Sequence, residues 1–451
     1  MSAIVRGTKV RKMFAMAGIA VLLASTAGCS SVGDAVGSFN PFREKEKILP
    51  GERKPILAST DPVIDPAAGA KTVSVPGASA FGEWSQPGGN ALNDPGHVSL
   101  SGGANWRTSA GEAGGGRNLA VTAAPLVYGG RAFVYDPNGN VTSMSLGNGG
   151  RIWRTSLKPE GERSAVPGGG IAAADGRIFA ATGYRQVVAL DAGSGAQAWA
   201  KELDDPARGA PTVANGKVYV VTANQVLYAL SAADGTELWS YRGIPETAGL
   251  LSNASPAVAG NLVVVPYSSG EIVAFDAGSG KLKWLDTVVR GSRTSAVAAL
   301  NDVAARPVVH DGIVYATGIS GRMVAVKLAN GERIWETNVG SASTPVVAGE
   351  AIFVVDMSER VLALSRRNGE LMWATQLPAG EKKKRERWSG PSLAGGSLWV
   401  ASSKGNLYAL NPATGQITGT RAMSAPVYTS PIAASGSLFV LSGNGTLTAT
   451  N

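Results

Sequence analysis

A pattern of small residue, five positions, glycine, three positions, tryptophan recurs along this chain and restricts its fold more than any other feature. It stands at Ala189/Gly195/Trp199, Ala229/Gly235/Trp239, Ala274/Gly280/Trp284, Ala325/Gly331/Trp335 and Ala363/Gly369/Trp373. Serine replaces the alanine at Ser143/Gly149/Trp153, and the tryptophan is lost at Ala409/Gly415/Gly419. Within one unit, 226–239, Leu227 and Ala229 face one way while Tyr228 and Leu230 face the other. That alternation reads as a strand. Asp234-Gly235 supplies a positive-φ corner, and Trp239 falls on the returning strand. Measured from glycine to glycine the units recur every 38 to 51 residues. Such spacing describes an array, not a string of independent domains.

A period of this size with about four short β segments per repeat is that of a β-propeller blade. The earlier half of each repeat agrees. Residues 211–221 read as strand, Asn-Gly turn, strand, and equivalents begin at Pro125, Pro256, Pro307, Pro345, Pro391 and Pro431. The second repeat keeps the turn, Asp175-Gly176, without the proline. Seven hairpin units are complete, and an eighth breaks off at 447–451 without its outer strand. The missing piece, Gly102-x3-Trp106, lies at the other end of the array. The expected fold is all-β: an eight-bladed β-propeller of four-stranded antiparallel blades. An N-terminal strand completes the C-terminal blade and closes the ring.

Residues 1–28 read as a lipoprotein signal peptide, 29–80 as a flexible tether and 81–451 as the propeller. The leader has a basic start, an apolar run at 13–23 and small residues at Ala27 and Gly28, directly before Cys29, the only cysteine of the chain. The apolar run is short for a membrane span, which favours cleavage. In lipobox signals the cysteine becomes the lipidated first residue, so Cys29 is the expected lipidation site. An ordinary cleaved signal with an incidental cysteine is the alternative. Ser30 stands where an aspartate would resemble an inner-membrane retention signal. The expected location is therefore the outer membrane, lipid-anchored on the periplasmic face. Residues 30 to about 80 are rich in Gly, Pro, Ser and Ala, with no periodicity able to bury a face. Trp84 and the Gly88-Gly89-Asn90 turn begin ordered structure next to the closing blade.

Function classes narrow by exclusion. The leader carries Arg6, Lys9, Arg11 and Lys12 and no acid, so its removal lowers the net charge from +8 to +4. No basic stripe with interleaved aromatics appears, so nucleic acid is not an expected partner. Seven of the ten tryptophans occupy one repeat slot, which reads as packing between blades. The only histidines are His97 and His310, and His310 falls in an inner turn, where it reads as a turn residue. No metal cluster, nucleophile elbow or convergent set of titratable groups emerges, and no cofactor or metal is expected. Two connections stand out in length and charge, 285–306 and 378–388, the second carrying the run Glu381-Lys382-Lys383-Lys384-Arg385-Glu386-Arg387. Loops on the rim of a rigid ring are where binding residues sit. The charged run reads first as a solvated loop tip, with attraction to anionic headgroups or an acidic partner as the alternative.

The repeat resembles the pyrroloquinoline-quinone-type propeller repeat over about 350 residues. Two groups share it. Quinoprotein dehydrogenases hold their cofactor over the central channel beside calcium and a pair of adjacent cysteines; with Cys29 as its single cysteine, this chain lacks that pair. The second group is the propeller lipoprotein of the outer-membrane β-barrel assembly machinery, the BamB family. Lipobox, tether, eight repeats and strand closure all resemble it. Residues 299–309, Ala-Leu-Asn-Asp-Val-Ala-Ala-Arg-Pro-Val-Val, look like that family's Leu-Ser-Asp-Val-Asp-x-x-Pro-Val-Val docking segment. Asp302 matches its first acidic position, and Ala304 stands at the second. Residues 248–256 look like the second docking segment, Leu250 matching an apolar position and Leu251 replacing an arginine. The resemblance implies a scaffold without catalysis that binds the barrel subunit through Leu250, Leu251, Asn301, Asp302 and Val303. Unfolded outer-membrane proteins are possible further partners. The two departures imply a more apolar patch. Alternatives from other classes are a quinone-dependent periplasmic dehydrogenase and a ligand- or glycan-binding envelope propeller. For the latter, Tyr184, Tyr241, Tyr267, Trp388 and Tyr428 are scattered along the sequence. Structurally, Asp302 could instead cap its own loop over the two leucines.

Overall fold

The computed structural model describes residues 71–114, 119–244, 254–289, 303–378 and 386–451. Eight four-stranded antiparallel sheets are arranged as an eight-bladed propeller. Blade 1 contains Leu126–Tyr128, Arg131–Tyr135, Asn140–Ser145 and Arg151–Ser156, from innermost strand to outermost. Blades 2 to 7 follow in the same order, over 169–202, 212–242, 257–287, 308–337, 346–376 and 388–422. Blade 8 takes three strands from 432–450, and its fourth is Trp106–Ser109, paired as Trp106↔Ala449 through Ser109↔Thr446. The closure read from sequence is therefore present. Two boundaries differ. The outermost strand of blade 4 continues to Thr287, and Trp388 opens the innermost strand of blade 7, so both connections are shorter than the sequence suggests.

In blades 1 to 7 the third strand is buried on both faces, because each blade lies between two others. In blade 3, Tyr228 and Leu230 enter the core shared with blade 2, whereas Leu227 and Ala229 enter the core shared with blade 4. The hairpin that follows ends in a four-residue turn, with Gly235 N–H donating to Ser231 O at 2.9 Å and Gly235 at φ 76°. A register shift after Ala229 brings Trp239 opposite it. Across the sheet this makes a row of aromatic, alanine and tryptophan, Tyr219–Ala229–Trp239, whose two rings meet over the small residue at 5.9 Å between centroids. A larger residue at Ala229 would displace them. This explains why the repeat keeps a small residue at that position.

The repeated glycine serves the neighbouring blade. A Cβ placed on Gly235 would stand 2.6 Å from the Trp199 ring, and one on Gly369 would stand 2.7 Å from the Trp335 ring. Each indole lies on the bare backbone of the next blade's turn and donates its Nε1–H to a carbonyl there. Trp106 reaches Leu146 O at 2.7 Å, Trp199 reaches Ala232 O at 3.1 Å and Trp335 reaches Arg366 O at 2.9 Å. The exception is informative. In blade 7 the slot holds Gly419, and Gly102 in the next turn has nothing within 4 Å of its Cβ position. That row reads Trp399–Ala409–Gly419, so the indole has moved to the second strand.

The first described residues, from Lys71, lie inside the stretch that the sequence reads as tether and already contact the ring. Lys71 N–H donates to Met372 O and Val73 N–H to Ala413 O, both at 3.0 Å, and the Val73 side chain is buried in the core of blades 6 and 7. From there the chain crosses the central channel as a plug. Trp84 exchanges two backbone hydrogen bonds with Val127 of blade 1, at 2.7 and 3.0 Å. Ser85 O accepts from Ala173 of blade 2, Ala91 O from Val258 of blade 4, Leu92 O from Val309 of blade 5 and Phe81 O from Ser435 of blade 8. Val98 exchanges hydrogen bonds with Leu393 and Gly395 of blade 7. The buried Gln86 side chain bridges blades 2 and 3 through Ala173 O and Val213 N and O. Asn93 Nδ2 bridges blades 4 and 5 through Pro256 O and Pro307 O. Innermost strands have no further strand to pair with, and the plug satisfies the backbone groups they turn toward the channel.

Two substitutions separate the packing terms. Trp335→Ala is expected to cost about 3–5 kcal/mol, the range for deleting a buried large aromatic. Gly369→Ala should destabilise more than Gly260→Ala. Both sites have positive φ, which alone costs about 1 kcal/mol, but only Gly369 faces an indole, whereas Gly260 has open space. Equal losses in denaturant melts of the two alanine variants would show that the indole contact contributes nothing.

Candidate functional site

The connections between blades rise on the rim opposite the inner hairpin turns, and two neighbouring ones are held by unusually firm stems. In the connection from blade 2 to blade 3, Arg208 is almost completely buried. It sends Nη1 to Pro266 O at 3.2 Å and Nη2 to Val303 O at 3.1 Å. One guanidinium thus ties the strand end of blade 4 to the segment leading into blade 5. Gln225 and Ser268, in the turns of blades 3 and 4, exchange two hydrogen bonds, Nε2 to Oγ at 3.1 Å and N–H to Oε1 at 3.0 Å. Ser255 Oγ donates to Ala210 O at 2.8 Å, fixing the stem from blade 3 into blade 4. At the start of that stem Ile244 is 55 % exposed.

The sequence-read site residues divide sharply. Cys29, Leu250, Leu251, Asn301 and Asp302 lie outside the described residues, as do 381–385 of the charged run. Val303 is described and offers no surface. Its side chain is fully buried in the core of blades 4 and 5, and its N–H donates to Tyr267 O at 3.4 Å. It is corrected from a contact residue to a stem residue. Ala304, which replaces the family's second acidic position, lies over the channel and is also buried.

Inside the rim the ring forms a funnel whose floor is the plug. A cavity of about 400 Å³ is lined there by Trp84 and Val98 of the plug, Arg306, Thr344, Trp388 and Tyr428, among others. Trp388 and Tyr428, 40 residues apart in sequence, therefore meet at one site, while Tyr267 is fully buried elsewhere. Among the described residues no cysteine, aspartate or glutamate lines this cavity. A calcium–quinone pair needs oxygen ligands from carboxylates, so this donor set does not fit that cofactor. Among the described residues no three His, Cys, Asp or Glu side chains gather as a metal site.

Both histidines help fasten the plug, His97 from within it and His310 from the innermost strand of blade 5. His97 Nδ1 meets Pro76 O at 2.7 Å, while its Nε2 accepts from Gly396 N–H at 3.0 Å, which assigns the proton to Nδ1. His310 joins Asp94 Oδ2 at 2.6 Å through Nδ1 and faces Asp311 at 3.3 Å through Nε2. The hydrogen bond to Asp94 raises the His310 pKa. Partial burial and the nearby Arg366 oppose that rise, and Asp311 reinforces it. Sequence reasoning missed the plug, Arg208, Arg306 and the funnel. The signal available was indirect: Trp84 and Trp388 lie outside the repeat slot.

A profile of the family described as "Outer membrane protein assembly factor BamB" matches residues 137–375 and 376–451. A relative bearing that name from Yersinia pestis is 27 % identical over 243 residues, 53 % of this chain and 61 % of the relative. The matched region thus spans less than two thirds of that relative's length. The crystal structure of BamB from Moraxella catarrhalis superposes with a TM-score of 0.63 at 22 % identity, covering 71 % of this chain and 94 % of that one. Quinohemoprotein alcohol dehydrogenase from Comamonas testosteroni superposes with a TM-score of 0.64 at 15 % identity, covering 82 % and 81 %. At these identities both superpositions speak for the fold alone.

Because the His310 pKa is raised in the folded ring, its ion pair with Asp94 adds stability below the unfolded value of about 6.5, and that stability is lost as pH rises through the folded value. The melting-temperature gap between the native protein and Asp94→Asn should therefore be widest near about pH 5.5 and narrow toward about pH 8.5. A gap independent of pH would remove the ion pair from the plug's attachment.

Proposed function

The chain belongs to the outer membrane protein assembly factor BamB family, and we propose that it serves as a lipid-anchored scaffold without catalysis in outer-membrane protein assembly. The observation that carries the reading is the family match, which runs from blade 1 through the C-terminus. The scaffold would be anchored through Cys29 to the periplasmic face of the outer membrane. It would dock the barrel-inserting subunit through the connections from blade 3 to 4 and blade 4 to 5. Unfolded outer-membrane proteins would be its indirect or direct clients.

The physical support for the docking site lies in the stems. Arg208 links the strand end at Pro266 to Val303, and the Gln225–Ser268 pair locks the adjacent turns. Loops rooted this way meet a partner with less ordering cost. Leu250 and Leu251 would form the apolar centre and Asp302 a charge-assisted acceptor for a partner arginine or lysine. Val303 contributes by holding the stem. A leash on the same membrane as the partner raises their effective concentration. The scaffold reading is favoured over a quinone dehydrogenase by the chain's single cysteine, which cannot form an adjacent pair, and by a cavity lining that carries no carboxylate among the described residues.

Asp302→Arg combined with Leu250→Asp is expected to abolish co-purification of the barrel subunit while the melting temperature stays within a few degrees, as for surface substitutions. Retained co-purification with a well-folded double variant would move the interface elsewhere. Cys29→Ser should release the protein from the membrane fraction or block its processing; a processed variant that still fractionates with membranes would overturn the anchor. Purified protein supplied with quinone and calcium should show no dye-linked alcohol oxidation, and sustained turnover would overturn the scaffold reading.

A further inference from the structure

The funnel holds a cation that the docking loops do not use. Arg306 lines the cavity and is only 8 % exposed. Its Nη1 donates to Thr344 Oγ1 at 3.3 Å, and its Nε is buried without an acceptor. Among the described residues no carboxylate pairs with it and none lines the cavity. Burial pushes its pKa down to about 10, which leaves it charged at neutral pH. Buried cations are ordinarily paired, since an unpaired one costs stability. This one is also held in place. Arg306 N–H donates to the same Thr344 Oγ1 at 3.3 Å, and the next residue, Pro307, gives its carbonyl to Asn93 of the plug at 3.0 Å. A charge held in place, buried and unpaired among the described residues at a cavity wall is arranged for an anion from outside the chain.

The rest of the lining indicates what kind of anion. The volume of about 400 Å³ lies within the range of small-molecule sites. Trp388, Val98 and Leu393 provide apolar surface, and Tyr428 and Ser343 provide hydroxyls. Arg387, the second arginine of the lining, is exposed, so only one cation is buried. One buried charge matches a monoanion. A dianionic phosphate would bring a second charge to desolvate without a buried partner. A carboxylate also matches the planar fork of a guanidinium edge. We propose that the funnel binds a small carboxylate with a flat apolar body, its carboxylate on Arg306 and its body against Trp388 and Leu393.

The test is a titration of the mature lipoprotein, purified in detergent, with benzoate, read by tryptophan emission and by melting temperature. Benzamide and inorganic phosphate serve as comparators. Benzoate should give a saturable emission change and raise the melting temperature, while benzamide and phosphate at equal concentration should not. Arg306→Met should weaken benzoate at least about tenfold, the size of one charge-assisted hydrogen bond. Without ligand, that variant should melt no lower than the native protein, because a buried unpaired charge is gone. Ala342→Trp, at an exposed position of the funnel wall, should block the response with Arg306 intact, and it decides the matter if Arg306→Met does not fold. An equal response to benzamide, a response to phosphate alone, an unchanged response in a folded variant, or no response to benzoate would each overturn the proposal.

Discussion

The indole on each outermost strand lies against the turn of the following blade, and this contact needs two things from the sequence at once. The turn must offer bare backbone, which only a glycine provides, and that glycine must also sit at positive φ to make the corner. The indole must have a small residue beside it, so that a second aromatic ring can cover the same row. Small residue, glycine and tryptophan therefore recur together, though the tryptophan and the glycine it covers come from different repeats. Each such contact buries a large ring and satisfies its N–H, so each contributes a few kcal/mol to holding adjacent blades. Blade 7 shows the dependence by its exception. There the tryptophan is gone, the opposing turn has open space, and another indole fills the row from one strand away.

A ring built this way still has to close, and closure joins segments far apart in sequence. Trp106 pairs with Ala449, at the opposite end of the array. The entropic cost of closing so long a loop grows slowly with its length, and the fourth strand of blade 8 returns a full set of ladder bonds. Trp106 also occupies the common slot and clasps blade 1 through Leu146 O, so closure uses the same contact as every other blade. The plug reinforces it from inside. Running from the outer strand of blade 6 across the channel to blades 7 and 8, it links ring members that share no boundary with one another.

What the sequence made legible follows from this physics. Period, strand alternation, turn residues and closure were readable because each is enforced by a local pattern repeated many times. The plug was not, because its hydrogen bonds match single positions on successive blades and leave no period of their own. Gln86 and Asn93 look like ordinary loop residues, yet each bridges two blades with its side-chain amide. Val303 shows the opposite failure. A resemblance placed it among contact residues, but three residues before a cavity-lining arginine its side chain turns into the core of blades 4 and 5. Trp388 and Tyr428 seemed scattered because sequence distance hides that both begin inner strands or the segments leading into them.

The two surfaces of interest then divide by their rigidity. The funnel is built from innermost strands and the plug, where nearly every backbone group is paired, so its shape is a property of the ring itself. The connections after blades 3 and 4 rise from stems that Arg208 and the Gln225–Ser268 pair fix. The repeat therefore conserves the frame through one contact and leaves specificity to residues that the frame does not constrain. A propeller of this type can thus share its fold with a dehydrogenase at 15 % identity while the described residues that line its cavity differ in chemistry, here carrying no carboxylate.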